Sequence, residues 1–263
     1  MAQIHPTALI EDGAQIAETA EIGPFCMVGP QVTIGANTKL RANVIVTGDT
    51  AIGADCEFFP FSVIGERGQI LGNKDVPHRV EIGDRNVFRE HVTVHGASPD
   101  KSHPTRIGND CYFMATSHIG HDCLISDKCV LANNTAIGGE THLGFQVWTG
   151  GGALIHQRSW IGDHAFVAGG AVLVGDVPPF SMASGQPAGI ASVNMTGLQR
   201  RGFSKQDVRH IHRSVMHLFA GKGTFAERLA ALREKPSDPH IDAVLAFIDS
   251  ERGGRPLCGA RKG

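Results

Sequence analysis

The sequence predicts an all-β solenoid, a parallel β-helix built from six-residue repeats, followed by a short α-helical segment. From Ile4 to Ile64 every sixth residue is apolar, without exception over eleven repeats. The residue directly after each apolar one is often glycine, and the fourth residue after the apolar one is small or β-branched. A large aliphatic residue and a small one that recur every six positions describe one side of a three-sided prism, with three repeats in each coil.

The repeat returns at Ile82, Phe88 and Val94 and then runs from Ile107 to Leu173, with Thr149 as its one polar member. Two polar segments rich in Gly, Pro, Asp or His interrupt it, at 66–79 and 96–106. We expect both to project as loops, and loops on a repeat scaffold often carry function. The pattern ends near 176–179, so we place the β-helix at 1–190 and a helical domain at 191–263.

The helical domain should contain three helices, at 204–219, 224–235 and 238–252. Ser204 and Thr224 are favourable N-caps, and Gly221 is a natural stop. This segment is too small for a substantial core of its own, so it should pack on the prism or on a neighbouring subunit. The tail from Gly253 is expected to be disordered.

Composition narrows the class of protein. The formal net charge is −2, which gives no overall attraction to nucleic acid or to an anionic membrane. The six cysteines form no CxxC pair, and most of them occupy small positions of the repeat, which indicates reduced core thiols. No secretory signal pattern begins the chain, and its longest apolar run, at 165–174, is too short to cross a bilayer. We expect a cytoplasmic protein without a membrane span.

The adjacent pair His121-Asp122 is the first candidate site. In this solenoid residues 18 apart lie one strand spacing, ~4.8 Å, from each other, so Gly139 and then Gln157 stand above His121. A neutral imidazole can take a proton from an attacking hydroxyl, a carboxylate can fix its tautomer, and a glycine N–H can stabilise an oxyanion. His118 lies near the same corner, which favours a general-base site.

Other readings of this cluster remain open. Fourteen histidines on a hydrophilic prism produce neighbours by chance. Some β-helix carbonic anhydrases bind zinc through His-x4-His and a third histidine. The pair His118-x2-His121, with His95 as a third ligand, departs from that spacing, so we expect no metal. Cys123 occupies an inward position, which makes it a poor nucleophile.

The segment 194–203 is the second candidate site. Its paired arginines, Arg200 and Arg201, lead into a helix and suit a phosphate or diphosphate. Lys205, Arg209 and Arg213 follow on that helix. They could meet an acidic carrier protein, although a solvated helix face is the commoner explanation of such a run.

Five segments resemble the acyl-carrier-protein-dependent UDP-N-acetylglucosamine O-acyltransferases, which perform the first step of lipid A synthesis. The similarity extends from about residue 4 to 250 and is strongest at 80–86, 118–123, 131–134, 177–179 and 194–203. It implies a left-handed β-helix, a homotrimer with active sites between subunits, and a UDP-amino sugar as acceptor. It also implies acyl carrier protein as partner and no cofactor, because the carrier's phosphopantetheine holds the acyl group.

The resemblance implies a role for each candidate residue. His121 matches the general base that activates the sugar 3-hydroxyl, Asp122 the acid that orients it, and Gly139 the oxyanion N–H. The remaining positions match substrate contacts: His118, His156 and Gln157 for the sugar and acyl chain, Gln69 in the first loop, Asn194, Arg200 and Arg201 for uridine diphosphate, and Gly169 for acyl length, where glycine leaves room for a longer chain.

The sequence also departs from the family pattern. Where the first loop usually reads Gln-Asp-Leu-Lys-Tyr, residues 69–73 read Gln-Ile-Leu-Gly-Asn and lack the acid and the lysine. Glu140 replaces a histidine, with Arg158 one coil away, and Thr196 replaces a glutamate near the uracil. We expect an acyltransferase that transfers a 3-hydroxyacyl group to the 3-hydroxyl of UDP-N-acetylglucosamine.

One alternative is a related β-helix acyltransferase with a different UDP-amino sugar or donor. Others, of a different class, are a non-catalytic scaffold and a metal-dependent hydratase.

Overall fold

The computed structural model describes residues 2–72 and 78–261, and it is a left-handed parallel β-helix with an α-helical end. This confirms the predicted fold class. Residues 18 apart pair in parallel on successive coils, as Ile4 does with Ile22 and Phe113 with Leu131. Three sheets of short strands form the three sides of the prism.

Over the described residues, the first sheet has eleven strands, the second nine and the third eight. The first contains Gln3–Ile4, Glu21–Ile22, Lys39–Leu40, Glu57–Phe58, Val87–Phe88, Tyr112–Phe113, Val130–Leu131, Trp148–Thr149, Phe166–Val167, Ser181–Gly185 and Ala188–Val193. The second contains Leu9–Ile10, Met27–Val28, Ile45–Val46, Val63–Glu66, Thr93–His95, His118–Ile119, Ala136–Ile137, Leu154–Ile155 and Val172–Leu173. The third contains Gln15–Ile16, Thr33–Ile34, Asp49–Ile52, Arg79–Ile82, Thr105–Ile107, Leu124–Ile125, His142–Leu143 and Trp160–Ile161.

The six-residue repeat determines both the core and the corners. The apolar member of each repeat points into the prism, where Phe58, Phe88 and Phe113 stack with ring centroids 4.5 and 4.7 Å apart. Three residues later the chain turns a corner with a positive φ, as at Asp122 (61°) and Asn134 (60°). Short Asn and Asp side chains tolerate this left-handed conformation better than most residues, so a corner is a favourable place for a carboxylate.

Both interruptions of the repeat leave the prism at the corner between the second and third sheets. Ile64 pairs with Val94 and Val94 with Ile119, separations of 30 and 25 residues instead of 18, so the insertions add 12 and 7 residues. The next turn at this corner is the one that carries His121. The two loops therefore emerge at the same corner as the candidate base, from the two coils that precede it. Within the first loop, Asn73 and the rest of 73–77 lie outside the described residues.

The end of the prism differs from the sequence prediction in two ways. The strands Ser181–Gly185 and Ala188–Val193 form an antiparallel hairpin that extends the first sheet, and a short helix α1 spans Met195–Arg200. Neither element was predicted. The boundary placed at residue 190 falls inside the second hairpin strand and stays a prediction.

The three predicted helices are present: α2 at Lys205–Ala220, α3 at Phe225–Arg233 and α4 at Pro239–Asp249. Ser204 and Thr224 cap α2 and α3 through the side-chain contacts expected of N-caps. The apolar face of α2 packs on the hairpin, so the helical segment contacts the prism, the first of the two predicted placements.

The prediction of a disordered tail from Gly253 is wrong. The Asp176 N–H donates to the Pro256 carbonyl at 2.8 Å, and the Cys258 N–H donates to the Asp176 carbonyl at 2.9 Å. Beside them Arg252 Nε lies 2.7 Å from Asp176 Oδ2, in an ion pair whose side chains are 12% and 0% exposed. A buried ion pair and strand-like hydrogen bonds hold the tail against the last coil, up to residue 261.

Two further features of the structure bear on the kind of protein this is. No helix in the described part of the chain is long and apolar enough to cross a membrane. All six cysteines are free and buried. Burial raises the pKa of Cys123 to about 12, so this thiol is not a nucleophile near neutral pH.

Candidate active site

The imidazole of His121 stands at the corner between the second and third sheets, in direct contact with Asp122. His121 Nδ1 lies 2.6 Å from Asp122 Oδ2, and the two side chains are 18% and 1% exposed. Because a carboxylate only accepts hydrogen bonds, Nδ1 carries the proton and the lone pair is on Nε2. The pair leaves Nε2 available as a proton acceptor.

Asp122 is held in its ionised form by hydrogen bonds from its neighbours. Burial alone would raise the pKa of its carboxyl group, but hydrogen bonds from His121 and Ser98 outweigh burial and hold that pKa below its ordinary value. The Asp122 N–H donates to Thr105 Oγ1 at 2.8 Å, which fixes the backbone of the corner as well. The carboxylate is thus charged, buried and immobile at neutral pH.

Gly139 lies directly against the free nitrogen of His121, as the 18-residue step predicts. A Cβ atom built on Gly139 would stand 2.4 Å from His121 Nε2, so only glycine leaves this face of the ring open. At the same place in another repeat, the Phe145 N–H donates to Asp163 Oδ1 at 2.8 Å. The Gly139 N–H has no such partner in the described part of the chain, so an unused donor lies beside an unused acceptor.

Two loops enclose this corner and form a cavity of about 560 Å³ over His121. Gly68 of the first loop touches the base of the ring, since a Cβ there would lie 2.8 Å from His121 Cβ. The first loop also contributes Ile70, Leu71 and Gly72, and the second contributes 98–101. Gln69 is exposed in the first loop. Because this loop lacks the acid and the lysine of the family pattern, residues 70–72 give the cavity an apolar lining.

Glu140 is part of the same wall and carries two ion pairs. Lys101 Nζ lies 2.8 Å from Glu140 Oε2, and Arg158 Nε lies 3.0 Å from Oε1. Partial burial opposes ionisation, but the two cations outweigh it and hold the pKa of Glu140 below its ordinary value. Arg158 compensates this carboxylate as the sequence suggests, and Lys101 is a second partner that the sequence did not reveal.

His118 lies one strand away, beside a smaller apolar groove. Its Nδ1 lies 2.7 Å from Thr93 Oγ1, and its ring meets His95 edge to face at 4.8 Å. Burial lowers the pKa of His118 and brings that of His95 to about 4, so both rings are neutral near pH 7. The groove, about 290 Å³, passes between His118 and His156 over Leu154 and Val172. It suits an acyl chain better than a charged group.

The ordered tail brings Arg255 to this groove. Arg255 Nη2 lies 2.6 Å from His156 Nδ1, and Arg255 Nε donates to the Gln157 carbonyl at 3.1 Å. Gly253 passes over the Arg158 carbonyl, where a Cβ would lie 2.8 Å from the oxygen. Sequence reasoning missed these contacts because no periodic pattern marks the tail.

The second candidate site is a separate cavity of about 660 Å³ on the first sheet. Asn194 caps α1, accepting from the Gly197 N–H at 3.2 Å and donating to the His164 carbonyl at 2.9 Å. The guanidinium of Arg201 stands 5.4 Å over the ring of Trp148, and burial lowers its pKa. Its Nη2 is buried without a partner in the described part of the chain, which leaves a donor for an anionic ligand.

The structure brings some predicted residues together and separates others. His121, Asp122 and Gly139 meet at one corner, and His118, His156 and Gln157 lie beside it. Asn194, Thr196, Arg200 and Arg201 line the second cavity, which shares no lining residue with the first. Gly169 lies above Gly151, where a Cβ would be 3.2 Å from the Gly151 carbonyl. Among residues 2–72 and 78–261 no cluster of three His, Cys, Asp or Glu is arranged to hold a metal ion.

Residues 176–258 match the family model of UDP-N-acetylglucosamine O-acyltransferase, domain 2. The chain is 36% identical to LpxA of Acinetobacter baumannii, with a TM-score of 0.90 over 98% of this chain and 99% of that one. It is 36% identical to the UDP-N-acetylglucosamine O-acyltransferase of Moraxella catarrhalis, with a TM-score of 0.89 over 97% and 99%. The corresponding enzyme of Bacteroides fragilis is 32% identical, with a TM-score of 0.91 over 97% and 99%.

Proposed function

Because the chain belongs to the UDP-N-acetylglucosamine O-acyltransferase family and is therefore an acyltransferase, we propose the reaction and the residues that perform it. The enzyme transfers a 3-hydroxyacyl group from acyl carrier protein to the 3-hydroxyl of UDP-N-acetylglucosamine in the cytoplasm, as the first step of lipid A biosynthesis. The observation that carries this assignment is the free Nε2 of His121 beside the unused N–H of Gly139.

The proposed chemistry is a direct attack of the sugar on the thioester. The 3-hydroxyl oxygen forms a bond to the thioester carbonyl carbon while its proton passes to His121 Nε2. Asp122, hydrogen-bonded to His121 Nδ1, stabilises the imidazolium, and the Gly139 N–H donates to the tetrahedral oxyanion. Collapse of this intermediate breaks the C–S bond, and His121 returns the proton to the leaving thiolate. The products are an ester and free carrier thiol, and no cofactor is required.

A homotrimer with active sites between subunits accounts for the separation of the two cavities. The donors suited to a diphosphate, Arg200 and Arg201, line a cavity on the first sheet, whereas His121 lies at the corner between the second and third sheets. One subunit would supply the base and its neighbour the contacts to uridine diphosphate. The basic residues of α2, Lys205, Arg209 and Arg213, are the candidates for contact with the acidic carrier protein.

One observation favours a second candidate, a different UDP-amino sugar as acceptor. Glu140 places a charged carboxylate in the wall of the His121 cavity, and Thr196 stands in the second cavity where the family pattern has a glutamate. Glu140 is held by Lys101 and Arg158, so this wall presents a fixed charged network where the family pattern has a histidine, and such a change in polar groups would favour a sugar with a different amino substituent.

A donor panel tests the proposal. Purified enzyme is incubated with UDP-N-acetylglucosamine and acyl-carrier thioesters of several chain lengths, each with and without a 3-hydroxyl, and products are identified by mass spectrometry. The proposal expects an ester product with a marked preference for one hydroxylated donor, and none with His121→Ala. Preference for the unhydroxylated donors would contradict the 3-hydroxyacyl assignment. Turnover only when the acceptor is a diamino sugar nucleotide would support the second candidate.

A further inference from the structure

Ser98, in the second loop, is bonded to both oxygens of the Asp122 carboxylate. Its backbone N–H donates to Asp122 Oδ1 at 2.8 Å, and its hydroxyl donates to Oδ2 at 2.7 Å. Oδ2 is the oxygen that also accepts from His121 Nδ1. One residue therefore holds the whole carboxylate plane, and a single oxygen links the serine hydroxyl to the candidate base.

The loop is built to keep Ser98 in this position. Pro99 follows it and favours an extended backbone at residue 98. On one side the Ala97 N–H donates to the Arg79 carbonyl at 2.9 Å, and on the other Lys101 reaches Glu140 at 2.8 Å. The loop is thus tied both to the coil that precedes its own and to the coil above His121.

We propose that Ser98 is a positioning residue for the reaction, acting on His121 through Asp122; this rests on the function proposed above. The carboxylate is 1% exposed, so water cannot replace a lost donor without opening the corner. Charge-assisted hydrogen bonds to a buried carboxylate are the strong ones, and they fix its plane. With the hydroxyl in place, Oδ2 is directed at Nδ1, and the imidazole presents Nε2 to the acceptor hydroxyl.

The matched variants are Ser98→Ala, Ser98→Thr and Ser102→Ala. The first removes the hydroxyl and keeps the N–H, the second restores a hydroxyl, and the third changes an exposed serine of the same loop. We expect Ser98→Ala to lower kcat about 10- to 100-fold with KM for the sugar nucleotide nearly unchanged, because a charge-assisted bond is lost. Ser98→Thr should recover most of kcat, and Ser102→Ala should match the wild type.

A double-variant cycle separates action through Asp122 from any other role. In the Asp122→Asn background, Ser98→Ala should have little additional effect, because the charged acceptor of the hydroxyl is already gone. An equal loss in both backgrounds would mean that Ser98 touches substrate or supports the fold, and it would overturn the proposal. So would Ser98→Ala with wild-type kcat.

A second readout does not depend on turnover. In protein labelled with ¹⁵N-histidine, the Nδ1 proton of His121 should resonate far downfield because of its short bond to the carboxylate. Ser98→Ala should move this resonance, whereas Ser102→Ala should leave it in place. A resonance that does not move in Ser98→Ala contradicts the role of Ser98, whether or not the enzyme is active. Inactivity of the wild type on every donor would count against the proposed function instead.

Discussion

Replacement of Gly139 by alanine tests the contact between His121 and the coil above it. The added Cβ would lie 2.4 Å from His121 Nε2, 2.5 Å from Cε1 and 2.9 Å from Cδ2. Since an ordinary contact needs about 3.4 Å, the ring must retreat by about 1.0 Å (3.4 − 2.4). It can do so only by straining or breaking the 2.6 Å bond to Asp122. A displacement of about 1 Å at a reacting centre costs ~100-fold in rate, or ~2.7 kcal/mol.

The expected result is a kcat reduced about 100-fold with the fold intact, because the ring and its bond to Asp122, not the core, give way. Gly151→Ala is the matched control: it occupies the same place in a later repeat, and its nearest atom would be the Asn133 carbonyl oxygen at 3.4 Å. Initial rates with a fixed acyl-carrier donor measure both variants. Gly139→Ala with more than a fifth of wild-type kcat would refute the steric reasoning.

Three other predictions follow from named contacts. Because the pKa of Asp122 is depressed in the folded protein, its ionised form contributes stability that is complete above the unfolded value of ~3.9 and is lost as the pH falls through the folded pKa. The Asp122→Asn variant should therefore be ~1–3 kcal/mol less stable than the wild type at pH 7, which lowers its melting temperature. The difference in stability should disappear in acid, and a difference that persists there would contradict the ionised state assigned to Asp122. Arg252→Ala leaves the buried Asp176 carboxylate without its cation, so we expect the free energy of unfolding to fall by ~3–5 kcal/mol and the tail to be cleaved rapidly by protease. The control, Arg233→Ala, breaks an exposed ion pair and should cost less than ~1 kcal/mol. Glu140→Gln weakens the ion pair with Lys101, which ties the second loop to the wall, so amide hydrogen exchange at 98–102 should accelerate while exchange in α2 stays unchanged.

The sequence predicted the relative positions of the candidate site residues wherever the repeat runs without interruption. Between Ile107 and Leu173 no residue is inserted, so counting in steps of 18 placed Gly139 over His121 and Arg158 over Glu140. The inward apolar residues and the corner carboxylate of Asp122 follow from the same count. Periodicity carries this information because every coil has the same length and pairs with the next in register.

The parts that escaped prediction come from segments without a period. Ser98 and Lys101 belong to an insertion, where the step of 18 no longer relates sequence to space. Arg255 lies in a tail whose order depends on the buried pair of Arg252 with Asp176, a contact across 76 residues. The short helix α1 has six residues, too few for a recognisable apolar face, and only its N-cap, Asn194, marks it.

The rate of His121→Ala tests most directly whether His121 is the general base. The variant should stay folded at the assay temperature, because the ring lies at a partly exposed corner outside the core, although loss of its bond to the buried Asp122 carboxylate should lower the melting temperature. With the preferred donor and UDP-N-acetylglucosamine, its kcat should fall by at least ~100-fold, as expected when a general base is removed. A correctly folded His121→Ala enzyme that turns over at a rate near that of the wild type would contradict the assignment of His121 as the base.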